Sequence, residues 1–217
     1  PSVSGVYLYM HQSYGDVRLE NNMISLGAGQ STNTAFYGIR TLAPNYGNNS
    51  SVFGYFNSVQ IMGQASASST WNSYGYYRGD NPGYGASYHM NTVLRNNIFN
   101  NVRTNASGGT GKHYAIVSDK TVPYSWSPYW AWDVDYNDLY TAAPPLARWA
   151  GTDANLLADW RTASNSDGSS QNLIADFVDP VNGDLHLTDN NCGINGKGGP
   201  VAGITIDFDN ESRDTQF

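Results

Sequence analysis

The chain has 217 residues, a formal net charge of −7, and charged and aromatic residues that each make up 13% of the sequence. This length supports one sizeable core, so we expect a single domain over residues 1–217. The acidic balance argues against nucleic-acid binding, and no apolar run approaches the ~20 residues of a membrane span.

A short motif recurs along the first two thirds of the chain at a nearly constant spacing. Each copy has an apolar residue, an Asn-rich corner and a short apolar strand. Aligning four asparagines gives steps of 36, 39 and 41 residues: Asn21, Asn57, Asn96 and Asn137. Repetition at such a period indicates a solenoid. Asn suits a corner because it tolerates left-handed backbone and its stacked amides can form a ladder. The alternative is four unrelated turn asparagines.

Aromatic residues are concentrated in two places. One is a segment before the fourth copy of the motif, with Trp126, Tyr129, Trp130 and Trp132. The other is an earlier segment that we expect to be a loop, with Tyr74, Tyr76, Tyr77 and Tyr84. Flat rings stack on the apolar faces of sugars, so these residues predict a glycan-binding surface. Alternatively, the rings cover the flank of the solenoid and pack its loops together.

Three carboxylates accompany the last copy of the motif. Asp133 and Asp135 alternate along a strand and therefore share a face, and Asp138 follows the corner. Such a pair serves as acid and base in polysaccharide-cleaving enzymes, and all three residues are candidates to bind calcium. Solvated turn residues are the alternative, which we favour. No other cofactor is indicated by the sequence.

The final third of the chain has a different pattern. Apolar residues at helical spacing predict a short helix over residues 153–162, with Asp153 as its N-cap. Residues 179–184 contain Pro and Asn-Gly, which predict a turn before a strand at 185–187. A further strand is predicted at 204–206, followed by a structural turn and ion-pair network of Asp207, Asp209 and Arg213.

Three stretches of this region carry a family resemblance. They are LADWRTA at residues 157–163, ADFVDPVNGDLHL at 175–187 and DFDNESRD at 207–214. In this order they resemble the C-terminal region of large exported bacterial surface proteins, common among Bacteroidetes. Those proteins have the right-handed parallel β-helix fold of the pectate-lyase-like superfamily. The chain departs from the family's pattern at residues 191–196.

Repeat and resemblance together give the expected fold class. It is all-β: a right-handed parallel β-helix (solenoid) of about four to five coils over residues 1–145. One short helix and an irregular C-terminal closure occupy residues 146–217. Four apolar residues are expected to point into the coil: Leu19, Ile24, Ile98 and Leu139. We further expect the chain to be a fragment of a longer protein.

The resemblance implies an extracellular or cell-surface bacterial location. We expect a noncatalytic, adhesin-like module that presents aromatic loops to a glycan or surface polysaccharide. Neighbouring domains of a longer chain, or other protein chains, are the other expected partners. Two alternatives stay open: a fragment of a polysaccharide lyase or glycoside hydrolase, and a structural stalk or spacer. Fold alone does not decide among them.

Overall fold

The computed structural model describes residues 1–10, 15–42, 50–79, 90–119 and 132–213. The first coil contains β1 (Ser2–Tyr9), β2 (Gly15–Glu20), β3 (Met23–Leu26) and β4 (Ser31–Thr32). The second contains β5 (Ala35–Leu42), β6 (Ser50–Tyr55), β7 (Ser58–Ile61) and β8 (Gln64–Ala65). The third contains β9 (Ser73–Gly79), β10 (Met90–Arg95), β11 (Ile98–Asn101) and β12 (Thr104–Asn105). The fourth contains β13 (His113–Ser118), β14 (Trp132–Asp135) and β15 (Asp138–Thr141).

Equivalent strands of successive coils pair in parallel and form long sheets. The first sheet has the order β1-β5-β9-β13, the second β2-β6-β10-β14 and the third β3-β7-β11-β15. The short strands β4, β8 and β12 form a fourth sheet. The prediction of a parallel β-helix is therefore confirmed. Among the described residues, no helix has the length and hydrophobicity needed to cross a membrane.

The asparagine alignment predicted from the sequence is wrong by one residue in two coils. The amides that stack along the coil belong to Asn22, Asn57, Asn97 and Asn137, separated by 35, 40 and 40 residues. Asn21 and Asn96 instead take the left-handed backbone conformation, with φ of 56° and 60°. Where two asparagines are adjacent, the first makes the turn and the second joins the ladder, because the two roles need different backbone geometry.

Apolar side chains from all coils fill the interior in register. Ile24, Val59, Phe99 and Leu139 occupy equivalent positions of the third sheet, and each is at most 9% exposed. Each buried aliphatic residue contributes ~1.5–3 kcal/mol. The prediction for Ile98 is wrong, because it alternates with Phe99 and points outward. It packs there under the C-terminal region, against residues such as Phe177 and Leu185.

The fourth coil is closed by a hairpin and a helix. Strands β16 (Ala147–Trp149) and β17 (Thr152–Ala154) pair antiparallel, and α1 (Leu157–Ser164) follows. The predicted N-cap is wrong: Asp153 lies in β17, where its carboxylate accepts a hydrogen bond from the Tyr114 hydroxyl at 2.9 Å. Asp159 performs the capping instead, since its Oδ2 accepts from the Leu156 backbone N–H at 3.0 Å.

Residues 171–213 return along the outside of the coil. The predicted turn is confirmed, since β18 (Phe177–Asp179) and β19 (Asp184–Leu187) form an antiparallel hairpin. The Ser25 hydroxyl donates to the Pro180 carbonyl at 2.5 Å, which places this hairpin beside the first coil. The predicted strand at 204–206 is wrong, because only Ile206 makes a bridge there. We call residues 171–213 the returning segment.

Candidate functional site

Four of the eight aromatic residues predicted to form a glycan-binding surface lie outside the described part of the chain: Tyr84, Trp126, Tyr129 and Trp130. Two of the remaining four, Tyr76 and Trp132, are in the interior of the coil. Tyr76 is fully buried in β9, a strand rather than the expected loop, and its hydroxyl is 3.0 Å from Thr41 Oγ1. Trp132 is 9% exposed and packs edge-on against Trp160. Both rings therefore contribute to the core in the described structure.

Tyrosines also stack on the outer face of the first sheet. The rings of Tyr37 and Tyr74 are 4.7 Å apart and those of Tyr74 and Tyr114 are 5.6 Å apart, with interplanar angles of 17° and 11°. The Arg40 guanidinium lies 4.6 Å from the Tyr37 ring centre. Because the rings cover one another, this ladder presents ring edges to solvent rather than the flat faces that a sugar stacks on.

The predicted carboxylate pair shares one face of β14, as expected from the alternation along the strand, and that face points outward. Asp133 Oδ1 accepts a hydrogen bond from Arg95 Nη2 at 2.8 Å, and the two groups form an ion pair. Asp135 Oδ1 accepts from the backbone N–H groups of Tyr136 and Ser169, at 2.9 and 2.7 Å. Both carboxylates thus stabilise the coil and the chain that follows it. Asp138 lies apart from them, on the third sheet.

Metal binding by these carboxylates was the other hypothesis. Within the described ranges, no three His, Cys, Asp or Glu side chains come together in a way that could hold a metal ion. Asp133 and Asp135 belong to the second sheet, whereas Asp138 belongs to the third. Calcium binding at these residues stays a prediction.

A groove forms where the corner between the second and third sheets meets the returning segment. It consists of two adjoining cavities of about 270 and 220 Å³. Both cavities are lined by Phe56, Asn96, Ile98, Leu187 and Arg213. We call this the corner groove. Its wall on the coil side includes the left-handed turn residues Phe56 and Asn96, whose φ angles are 54° and 60°.

A histidine between two carboxylates marks the first cavity. His186 Nδ1 lies 2.5 Å from Asp184 Oδ1, and Nε2 lies 2.8 Å from Asp209 Oδ2. These hydrogen bonds raise the pKa of His186, the one from Asp184 most strongly. The Phe208 ring contacts His186 edge-on and is 51% exposed. The cavity thus offers an accessible aromatic ring beside polar groups.

Arg213 connects the returning segment to the coil at this cavity. Its Nη2 donates to Asn21 Oδ1 at 2.6 Å, and its guanidinium lies 3.8 Å from the Phe56 ring centre. Burial lowers its pKa. The turn and ion-pair network predicted for Asp207, Asp209 and Arg213 is confirmed in part. Asp207 Oδ1 accepts from two backbone N–H groups, whereas Asp209 pairs with His186.

The second cavity contains a buried carboxyl group. Asp138 is 3% exposed, and its Oδ1 accepts from the Leu173 backbone N–H at 2.9 Å. Burial raises the pKa of this carboxyl to about 7. Lys197 and Asn195, from the loop that covers the cavity, also line it. The sequence identified Asp138 as a candidate residue but grouped it with Asp133 and Asp135, which lie elsewhere.

Sequence reasoning missed most of the corner groove. Its residues come from the turns of separate coils and from the returning segment, so no local motif brings them together. The DFDNESRD stretch, which supplies Phe208 and Arg213, was the available signal. No family model, curated protein or solved structure matches this chain. Since a β-helix supports many functions, the function has to be argued from the groove itself.

Proposed function

We propose that this chain is a noncatalytic, adhesin-like β-helix module that binds a glycan in the corner groove. The observation that carries the proposal is an open groove that combines side-chain amides, a carboxylate pair around His186 and the exposed Phe208 ring. Sugars are recognised by this combination, since amides and carboxylates bind their hydroxyl groups and a ring packs on their apolar face.

Binding without turnover is favoured by how the acidic groups are held. His186 is fixed between two carboxylates, and Asp133 is paired with Arg95. An acid–base pair for glycoside cleavage needs two carboxyl groups that face one substrate bond. The carboxylates of Asp133, Asp135, Asp184 and Asp209 instead have structural partners, and that of Asp138 lies buried in the second cavity.

A bacterial surface location is part of the same proposal. It is supported by the parallel β-helix fold and by the three stretches that resemble exported surface proteins. The acidic, Lys-poor composition agrees with such a location. The parent would be a longer protein of the Bacteroidetes type, in which this module contacts neighbouring domains. The aromatic segment that includes Trp126 and Trp130 is a second candidate contact for the glycan.

The experiment is a glycan-array screen of the purified chain, with and without calcium, combined with analysis of released products. Phe208→Ala tests the groove, and Trp71→Ala is the matched control, because Trp71 is 42% exposed and does not line the groove. We expect binding without cleavage, lost in Phe208→Ala and kept in Trp71→Ala. Cleavage would support a lyase or glycosidase, and equal loss in both variants would exclude the groove.

One observation favours a second function, that of a structural stalk. Inward-pointing residues of the first coil are less buried than their partners in the second: Val3 is 44% exposed, whereas Phe36, its partner in register, is 5% exposed. An apolar sheet edge of this kind pairs with further strands. Sedimentation velocity tests this: concentration-dependent association that Val3→Lys abolishes would support stacking, and a monomer at all concentrations would contradict it.

A further inference from the structure

The carboxyl group of Asp138 is only half satisfied by the described residues. Its Oδ1 accepts from the Leu173 N–H, but its Oδ2 is buried without a hydrogen-bond partner among them. Asp138 alternates with Leu139, which fills the interior, so its side chain points outward into the space under the loop at 194–198. This space is the second cavity of the corner groove.

A buried carboxyl oxygen without a hydrogen-bond partner lowers the stability of the fold. A buried polar group without a partner costs ~1–3 kcal/mol, and more when it is charged. Asp138 nevertheless stands where its neighbour one coil earlier is Ile98, which is buried without this cost. A hydrogen-bond donor that enters the cavity would complete the carboxyl group and recover the lost free energy.

The charges around the cavity restrict what this donor can be. Lys197 of the covering loop and Arg213 at the end of the returning segment line the cavity with Asp138. Of the carboxylates on adjoining elements, Asp135 accepts from the Ser169 N–H, and Asp167 accepts from Asn137 Nδ2 at 3.2 Å. Two cations against one carboxyl disfavour an ammonium group. A carboxylate placed against Asp138 Oδ2 would bring two acceptors together and supply no donor. A neutral hydroxyl group meets neither objection.

We propose that Asp138 is the specificity-determining residue of the second cavity, where its Oδ2 accepts a hydrogen bond from a hydroxyl group of a neutral sugar. This inference rests on the proposed function, because it assigns one subsite of the same groove. It also gives the ligand class: neutral oligosaccharides in preference to amino-sugar oligomers.

Titration calorimetry tests the inference with cellotetraose, xylotetraose and mannotetraose, and with glucuronic-acid and glucosamine oligomers as charged comparators. Asp138→Asn keeps an acceptor for the Leu173 N–H but replaces the Oδ2 acceptor. We expect a neutral probe to bind this variant roughly 10- to 100-fold more weakly. Asp16→Asn is the matched control and leaves the affinity unchanged, since Asp16 is exposed on β2 and does not line either cavity of the groove.

The pH profile gives a readout that a structural role would not produce. Ionised Asp138 is the acceptor and burial raises its pKa to about 7, so affinity should fall as the pH decreases below that value, by up to the same roughly 10- to 100-fold. If Asp138→Asn fails to fold, the wild-type profile decides, and a flat profile overturns the inference. Unchanged binding of a neutral probe by Asp138→Asn overturns the inference alone. Absence of binding of every probe by the wild-type protein overturns the proposed function as well.

Discussion

Asn97→Ala should lower the free energy of unfolding far more than the same change at the end of the asparagine ladder does. The Asn97 side chain is 1% exposed. Its Oδ1 accepts from the backbone N–H and the side-chain amide of Asn57, at 3.1 and 2.8 Å. Its Nδ2 donates to the carbonyl oxygens of Gly54 and Arg95 and to Asn137 Oδ1, at 2.9, 3.2 and 3.0 Å.

Truncation to Ala removes all of these hydrogen bonds at once. Each bond contributes ~0.5–1.5 kcal/mol net, and the buried groups left unpaired add to the cost, so we expect a loss of about 3–5 kcal/mol. For a chain of this size that corresponds to a fall of roughly 6–20 °C in the melting temperature. The ladder spans every coil, so the loss should weaken the whole solenoid.

Asn22→Ala is the matched control. Asn22 ends the ladder in the first coil, is only partly buried, and its side chain donates to Asn57 Oδ1 and the Glu20 carbonyl, at 2.7 and 3.2 Å. We expect a loss of about 1 kcal/mol. Thermal and urea unfolding followed by circular dichroism measure both variants. Equal shifts in the two variants would refute the reasoning, because the ladder would then contribute nothing beyond single turns.

Three further predictions concern the core and the groove. Trp160→Ala removes a fully buried ring and should cost ~3–5 kcal/mol in urea unfolding; a loss below about 1 kcal/mol would contradict the packing. Leu94→Asp places a charge at a 1% exposed core position, and we expect no folded protein by circular dichroism, so a cooperative thermal transition would count against the register. The pKa of His186 is raised by Asp184 and Asp209, so its ion pairs stabilise the fold below pH ~6.5 and this contribution disappears as the pH rises through the higher folded pKa. The melting-temperature difference between wild type and His186→Ala should therefore shrink toward high pH, whereas a constant difference would exclude the pairing.

The repeated motif allowed the architecture to be predicted from the sequence. The recurring motif predicted a parallel solenoid and its approximate number of coils, because each coil makes the same local contacts with its neighbour. The alternation around Val134 correctly placed Asp133 and Asp135 on one face of a strand, and the Asn-Gly pair at 182–183 predicted the hairpin turn. These features depend on residues that are near one another in the chain.

The register of the asparagine ladder and the position of the corner groove were decided by the tertiary structure. The motif alone did not show which of two adjacent asparagines enters the ladder, so Asn97 was missed in favour of Asn96. Likewise, Tyr76 has the chemistry of a sugar-stacking residue, but strand pairing turned its ring into the core. The corner groove depends on contacts such as that of Arg213 with Asn21, 192 residues apart. No local pattern encodes such a contact, since it exists only after the coils have stacked and the returning segment has packed against them.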